Sequence, residues 1–426
     1  MSLSNQVPTP FSEPPWLMGL HSPYYKDSHR KWQKACREFI SRHLAPHALK
    51  WETEGNVPDH VFETFSKHNM LIPNLPAPLP IDLLKEIGIN KLFGGLEVEE
   101  FDYFHFAIYI SEMRRLGIGG PASSLSTGMA YGIPPIITYG SQELQHRLLP
   151  ELLRGAKRVC IAITEPDAGS DVANISTTAV KSKCGKYYVV NGEKKWITNG
   201  LWSHYATMAV RTGGHAGVSM RRMKTMGGTT SGTTFIDLED VLVPVENLIG
   251  EEGQGMKMIT RNFNHERVAI ALGVAQAARA ALSAAFAYVL KREAFGQPLI
   301  EQAVVRHRLA KCGGELESLT AWIDHLVYQM AKAQGGSPIP ELGGLVALAK
   351  ARAGIVLDEC ARCAVLLFGG NGYTRTGQGE LVEKIYREVP AARIPGGSED
   401  VMLDLAIRQM VKVYRAKTQA VGKGRL

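Results

Sequence analysis

Apolar residues recur at helical spacing through the first part of the chain. One face of a predicted helix carries four of them at i, i+4, i+7 and i+8: Trp32, Cys36, Phe39 and Ile40. Helical spacing resumes over residues 104–116 and 142–153. The pattern predicts an N-terminal helical domain over residues 1–158.

Strand-like patterns replace the helical spacing between residues 159 and 252. Short apolar runs predict strands at 159–163, 205–211 and 233–238. The run 187–190 is followed by Asn191-Gly192 and a second strand-like segment. Because Asn-Gly supplies the positive φ angles of a type I′ turn, this segment predicts a β-hairpin. We therefore expect a middle antiparallel β domain.

Helical spacing returns over residues 253–426. Four long periodic runs predict a C-terminal four-helix bundle: 256–294, 306–333, 344–367 and 398–416. The order of helical, strand and helical blocks differs from βαβ alternation, which argues against a Rossmann sheet. The predicted fold class is an α+β multidomain protein.

Composition and charge narrow the function classes. The chain has 426 residues with 48 Lys plus Arg and 41 Asp plus Glu, a net charge of +7, which favours an anionic partner such as a phosphorylated cofactor, coenzyme A or nucleic acid. No block of five or six like charges occurs, so the nucleic-acid signal is weak. The most apolar stretch, 268–290, contains Gln276 and Arg279, and we predict no membrane span.

Six sparse cysteines favour a reducing intracellular compartment. Cys360 and Cys363 form a CxxC inside a predicted helix, and core packing is a better interpretation than a redox or metal site. No metal site is predicted. The C-terminal tripeptide 424–426, Gly-Arg-Leu, is similar to peroxisomal addresses, and an accidental tail is the alternative. The expected location is therefore cytoplasmic or peroxisomal.

Two motifs carry candidate chemistry. Residues 163–171, ITEPDAGSD, directly follow a predicted strand, and their hydroxyls and backbone N–H groups suit an aromatic ring edge or a phosphate. Residues 194–200, KKWITNG, place an indole beside a hydroxyl, which suits one face of a flat ring system. The alternatives are an ordinary turn for the first motif and a buried strand Trp for the second.

Together the two motifs closely resemble those of the acyl-CoA dehydrogenase flavoprotein family. The resemblance extends over residues 28–415 and includes 292–296 (REAFG), 367–373 (LFGGNGY) and 394–400 (IPGGSED). It implies bound FAD and a homotetramer, a dimer of dimers, or a homodimer, with the adenine end of FAD across a subunit interface. Arginine suits that end, because its planar fork binds phosphate oxygens at two points.

The resemblance also assigns binding roles to individual residues. Those implied to hold FAD are Ile161, Ile163, Thr164, Trp196, Thr198, Arg292, Phe295, Gly369, Gly370 and Ser398. Those implied to contact the acyl-CoA substrate are Ser170, Asn264, Arg267 and Tyr373.

The implied reaction needs a carboxylate that removes the α-proton of the thioester while hydride leaves the β-carbon. Many family members carry this base in the C-terminal loop, where the matching position here is Gly396. A minority carry it on the long helix, where this chain has Glu266. Glu266 is therefore the candidate base. The alternatives are a solvated or ion-paired role for Glu266, with Glu399 or Asp400 as the base.

The sequence also departs from the family pattern. Asp167 replaces a usual Gly, while Leu366 and Ala303 remove polar contacts to the adenine side of FAD. Between residues 221 and 223 the family normally has about one more strand and its turn. The resemblance therefore implies a shortened middle domain with weaker flavin binding.

The predicted function is FAD-dependent dehydrogenation of an acyl-CoA to trans-2-enoyl-CoA. Electrons then pass to an electron-transfer flavoprotein or to oxygen. One alternative is a peroxisomal acyl-CoA oxidase. Another is a non-catalytic relative that binds acyl-CoA or nucleic acid.

Overall fold

The computed structural model describes residues 8–211, 217–333 and 339–423. Helices, then strands, then helices follow one another within these residues, which confirms the predicted fold class. The helices are α1 (Asp27–His43), α2 (Ala48–Glu54), α3 (Asp59–Lys67), α4 (Ile81–Glu86), α5 (Tyr103–Met113), α6 (Gly119–Thr127), α7 (Pro134–Tyr139), α8 (Gln142–Leu153), α9 (Gly255–Lys291), α10 (Ala303–Ala333), α11 (Leu342–Phe368), α12 (Gly370–Tyr373), α13 (Glu380–Arg393) and α14 (Glu399–Lys423). The strands are β1 (Val159–Ala162), β2 (Thr178–Lys181), β3 (Tyr187–Ile197), β4 (Tyr205–Met208), β5 (Gly217–Arg222), β6 (Thr234–Pro244), β7 (Glu293–Ala294) and β8 (Gln297–Pro298).

One compact unit comprises residues 31–109 and 119–266. Four of its strands form an antiparallel sheet in the order β2-β3-β6-β5. β1 and β4 form a separate parallel pair, from Val159 opposite Tyr205 to Ala162 opposite Met208, which the strand pattern did not predict. The core of these strands is made of small and branched aliphatic side chains with one aromatic ring: Cys160, Ala162, Ala179, Tyr188, Val190, Ile197, Ile236 and Leu238.

The predicted hairpin at Asn191-Gly192 is wrong. β3 runs through both residues as one strand, and the pairing with β6 shifts register between Val190 and Gly192. Gly192 has φ 133°, and a Cβ there would lie 2.6 Å from the Thr177 Cα. Gly192 therefore permits a β-bulge and the close approach of the segment around Thr177, rather than a turn that reverses the chain direction.

The segment after β5, where the family normally has a further strand, is fastened to α2. The buried Glu52 carboxylate accepts from the backbone N–H of Thr229 at 2.6 Å and of Thr230 at 3.1 Å. Arg222, at the end of β5, donates to the Gly55 carbonyl at 2.7 Å. The short connection is thus held by charged side chains, since a carboxylate bound by several N–H donors is a strong anchor.

The other compact unit comprises residues 1–30, 110–118 and 267–426. Within it α11 packs against α10, α13 and α14. α9 is long and apolar enough to meet the length and composition criteria for a membrane span, but most of that window is buried in the protein. Arg279, in the middle of α9, is itself buried and bonds Glu317 of α10 at 2.7 Å. Such pairing is typical of a core helix, and it agrees with the prediction of no membrane span.

Two further predictions concern the cysteines and the C-terminus. Cys360 and Cys363 are buried free thiols of α11, and the Cys360 thiol lies 3.9 Å from the carbonyl oxygen of Cys312 on α10. The buried positions of Cys360 and Cys363 agree with the predicted packing role. The tripeptide 424–426 lies outside the described residues, so the peroxisomal address stays a prediction.

The domain boundaries at 158/159 and 252/253 also stay a prediction. The two compact units alternate along the chain, with boundaries at 30/31 in α1, 109/110 in α5, 118/119 before α6 and 266/267 in α9.

Candidate functional site

The two sequence motifs come together in the structure. The first begins where β1 ends, and the second forms the end of β3 and the residues after it. The backbone N–H of Lys195 donates to the Thr164 carbonyl at 2.9 Å, which joins the motifs directly. The predicted FAD residues on these segments, Ile161, Ile163, Thr164 and Thr198, are half-buried. Ser170, the predicted CoA contact, is exposed.

A buried ion pair that the sequence reasoning missed links the same motifs. The Lys194 ammonium lies 2.7 Å from the Glu165 carboxylate, and the two side chains are 0% and 2% exposed. Lys194 also donates to the carbonyls of Ile163 at 3.0 Å and Ala209 at 2.7 Å. The ammonium therefore meets three acceptors, as many as it has protons.

The Glu165 carboxylate has further donors on its other side. It accepts from the N–H of Ser176 at 2.5 Å and of Thr177 at 3.0 Å. Burial alone would raise the pKa of Glu165, but hydrogen bonds from Lys194, Ser176 and Thr177 lower the pKa to about 2. Burial lowers the pKa of Lys194, and Glu165 opposes that shift. Glu165 is therefore ionised at neutral pH, as this hydrogen-bonded pairing requires.

Trp196 has an unusual backbone conformation. It adopts φ 59°, at a register shift of β3 between Lys194 and Ile197. Its side chain is 48% exposed, and the Lys195 ammonium lies 4.5 Å from the ring centroid. A bulky residue at positive φ costs about 1–3 kcal/mol, and such strain concentrates at binding sites. The bulge presents the indole outward, ready to contact a flat ring.

Asn199, the residue after the predicted contact Thr198, fixes the end of this segment. Its side chain is buried, and Nδ2 donates to the carbonyls of Ser123 at 3.3 Å and Ser231 at 3.2 Å. It also adopts a left-handed φ of 65°, which Asn tolerates better than most residues. The Asn-Gly pair in this motif was the available signal for such a turn.

The candidate base lies on α9 in the same unit. Glu266 and Asn264 are half-buried, while His265 between them is 4% exposed. Arg267 belongs to the other unit, where it is buried and Nε donates to the Gly396 carbonyl at 3.2 Å.

The loop 394–397 is held by a second buried cation. Lys350 is 1% exposed and donates to the carbonyls of Arg393 at 2.9 Å and Gly397 at 2.6 Å. Gly396 and Gly397 have φ 70° and 104°, conformations that favour glycine. Ser398, half-buried, follows directly and precedes α14.

The alternative base Glu399 is engaged elsewhere. Its carboxylate lies 2.7 Å from the guanidinium of Arg393, which also contacts Asp358 at 3.1 Å. Glu399 is the first residue of α14, where a carboxylate also stabilises the helix dipole. The ion pair and the helix end both explain this side chain without a catalytic role.

The residues predicted to hold the adenine end of FAD are strongly exposed in the single chain. Phe295 forms the β7–β8 turn with φ 55° and is 92% exposed. Gly369 has φ 58° and ψ −133°, and a Cβ at Gly369 or Gly370 would meet no atom of residues 8–211, 217–333 or 339–423 within 4 Å. Arg292, which directly follows α9, is exposed. Tyr373, the predicted substrate contact at the end of α12, is exposed as well. The open glycine backbone leaves room for a ligand to approach closely.

The comparisons with known proteins agree with these motifs. Residues 26–156, 160–241 and 253–411 match the N-terminal, middle and C-terminal domains of acyl-CoA dehydrogenase respectively. The chain is 59% identical to acyl-CoA dehydrogenase apdG of Emericella nidulans, over 98% of both chains. It is 34% identical to acyl-CoA dehydrogenase AFT10-1 of Alternaria alternata, over 95% of this chain and 96% of that one.

The crystal structure of acyl-CoA dehydrogenase from Geobacillus kaustophilus superimposes with a TM-score of 0.78 at 27% identity, covering 92% of this chain and 100% of that chain. The outward indole of Trp196 fits a flat isoalloxazine ring, and the open glycines with Arg292 fit a nucleotide diphosphate. The chain therefore belongs to the acyl-CoA dehydrogenase family, enzymes that use FAD to dehydrogenate acyl-CoA thioesters.

Proposed function

We propose that this enzyme converts an acyl-CoA to its trans-2-enoyl-CoA with Glu266 as the base. The observation that carries the proposal is the contrast between two positions. The C-terminal loop has glycine at 396 with φ 70°, whereas α9 offers a half-buried carboxylate at Glu266. Glu399, the nearest carboxylate after that loop, is paired with Arg393.

Glu266 would take the α-proton of the thioester and hold it on its carboxylate. When bound, FAD supplies the acceptor for the hydride that leaves the β-carbon. The α-proton is only weakly acidic, so the thioester carbonyl must be polarised by hydrogen bonds as the proton leaves.

The remaining binding roles follow the predicted residues. We assign Ser170, Asn264, Arg267 and Tyr373 to the acyl-CoA. For FAD, Trp196 would cover one ring face, with Thr164 and Thr198 at its edge. Arg267 is itself anchored on the Gly396 carbonyl, which would fix its guanidinium for substrate binding.

Purified protein is expected to be yellow with non-covalent FAD, and an acyl-CoA substrate should bleach the flavin absorbance without oxygen. Anaerobic visible spectroscopy over a panel of acyl-CoA chain lengths tests both points. A protein that stays colourless after addition of FAD would contradict the proposal. So would a yellow protein that dithionite reduces but no acyl-CoA does.

We also propose that two chains share each FAD, in a homotetramer or homodimer. Support comes from the exposure of Phe295 and of the glycine backbone at 369–370 in the single chain. Burial of a phenylalanine ring that is 92% exposed in the single chain is favourable, which supports a second chain at this position.

The variant Arg292→Ala should therefore lose most of its FAD on gel filtration, because a bidentate phosphate contact is removed. Flavin content per chain and light scattering are the measurements. Arg42→Ala, at an exposed position of α1, is the matched control and should keep its flavin. A monomer that binds FAD fully would refute the shared site.

For the electron acceptor we propose an electron-transfer flavoprotein rather than oxygen. The relatives above carry the name dehydrogenase, which supports this choice. Stoichiometric hydrogen peroxide release during turnover in air would favour the oxidase alternative.

A further inference from the structure

Two polar atoms on α9 close to Glu266 are buried and have no hydrogen-bond partner among the residues that the structure describes. They are Nδ2 of Asn262 and Nδ1 of His265. Buried polar atoms in native proteins are nearly always paired, so each exception needs a water, an ion or a ligand.

The protonation of His265 follows from its surroundings. Its Nε2 lies 3.2 Å from the Asn74 carbonyl, an acceptor, so Nε2 carries the hydrogen. Burial lowers the pKa of His265 to about 4, and the ring is neutral at physiological pH. The unpartnered Nδ1 is therefore a hydrogen-bond acceptor. The ring of His265 packs 4.5 Å from that of Phe106.

The segment that contacts His265 supplies a second open acceptor. Asn74 is fully buried, and its Nδ2 donates to the Leu71 carbonyl at 2.8 Å and lies 3.3 Å from the Tyr109 hydroxyl. These bonds fix the orientation of the amide. The buried Oδ1 of Asn74 has no partner within the described part of the chain.

The helix places the two α9 residues beside the candidate base. Asn262 is three residues before His265 and four before Glu266, so it neighbours both on the helix surface. An amide donor and an imidazole acceptor together match a group that both accepts and donates a hydrogen bond. A hydroxyl does so, whereas a methyl group does neither and an ammonium cannot accept.

We propose that Asn262 and His265 bind a hydroxyl group on the acyl chain, so that the substrate class is a hydroxylated acyl-CoA. The inference rests on the proposed function of Glu266, because it places the acyl chain beside that residue. The other source of a hydroxyl is an ordered water, with a purely apolar acyl chain as the substrate. If the substrate supplies the hydroxyl, the enzyme should prefer a hydroxylated acyl-CoA. If a water supplies it, the enzyme should prefer an apolar acyl-CoA.

The test uses six-carbon acyl-CoAs with a hydroxyl at carbon 4, 5 or 6. Each is paired with the analogue in which a methyl group replaces the hydroxyl, so size is matched. The kcat/KM of wild-type enzyme should favour one hydroxylated member by about tenfold or more, because its methyl analogue leaves buried polar atoms unpaired.

In Asn262→Leu and in His265→Leu the ratio within that pair should fall toward one. His146→Leu, the same change at an exposed position of α8, should keep the wild-type ratio. Flavin content and Tm show whether each variant folds. If His265→Leu does not fold, Asn262→Leu alone still tests the proposal.

Equal or faster reduction by every methyl analogue in wild-type enzyme would overturn the inference and assign the pair to a water. The proposed function would then still stand, because acyl-CoA reduces the flavin. Failure of all acyl-CoAs to reduce a flavin that dithionite reduces would instead overturn the proposed function, and this inference with it.

Discussion

Replacement of Glu266 by Gln is expected to slow flavin reduction by acyl-CoA by about 10²–10⁴-fold or more. Gln keeps the size of the side chain and much of its hydrogen bonding but cannot take the proton. FAD and acyl-CoA binding should survive, because the loss belongs to the transition state. Anaerobic stopped-flow measurement of flavin bleaching gives the rate, and a binding titration gives the affinity.

Glu399→Gln and Asp400→Asn are the matched controls for the base. Glu399 pairs with Arg393 at 2.7 Å, so its removal should lower stability with much less effect on the rate of reduction. If acyl-CoA reduces the flavin of Glu266→Gln at a near-normal rate but that of Glu399→Gln slowly, the base lies at the C-terminal loop. That result would refute the assignment to α9.

The variant Lys194→Met is expected to lower the free energy of unfolding by about 3–5 kcal/mol, the usual result of removing one partner of a buried ion pair. It leaves the Glu165 carboxylate buried without its cation, and it leaves the carbonyls of Ile163 and Ala209 without a donor. Flavin binding should weaken as well, since the pair joins the two motifs. Denaturant unfolding followed by circular dichroism measures the change.

The exposed pair of Lys91 and Glu97 provides a control of the same residue types. The Lys91 ammonium lies 2.6 Å from the Glu97 carboxylate, and the two side chains are 61% and 43% exposed, so Lys91→Met should cost much less stability than Lys194→Met. The double variant Glu165→Gln with Lys194→Met should recover part of the loss, because no buried charge remains unpaired. If Lys194→Met and Lys91→Met unfold at the same denaturant concentration, the pair has no special structural role.

The pair also predicts a pH dependence of stability. The pKa of Glu165 falls from the usual 4.5 to about 2 in the folded chain. A carboxyl with a lowered pKa contributes stability above its unfolded pKa and loses that contribution as the pH falls through its folded pKa. The stability difference between wild type and Glu165→Gln should therefore shrink between about pH 4.5 and pH 2.

Hydrophobic spacing predicted the helices well, since an amphipathic face repeats over many turns. α9, predicted as 256–294, spans Gly255–Lys291. The Asn191-Gly192 prediction failed because the dipeptide has the same local preference in a turn and in a bulge. Only the long-range contact with Thr177 selects the bulge, and a single sequence does not show that contact.

The sequence predicted which segments form the candidate site, but not which side chains pair within it. The family resemblance assigned Thr164 and Trp196 to the same cofactor, and the structure joins their two motifs through the hydrogen bond from the Lys195 N–H to the Thr164 carbonyl. The ion pair of Glu165 with Lys194 was missed, because charged residues next to strands usually face solvent. The open acceptor of His265 was missed for a related reason, since local sequence does not tell which ring nitrogen is satisfied.

The glycine pair at 396–397 restricts where a carboxylate can be placed in this loop. Any other residue at 396 would occupy left-handed backbone at a cost of about 1–2 kcal/mol, and a Cβ at Gly397 would lie 2.1 Å from the Met402 Cε. The carbonyls of both glycines are also anchored, by Arg267 and Lys350. A carboxylate placed at 396 without a change in this loop would therefore sit on strained backbone, whereas Glu266 carries its carboxylate on the regular backbone of α9.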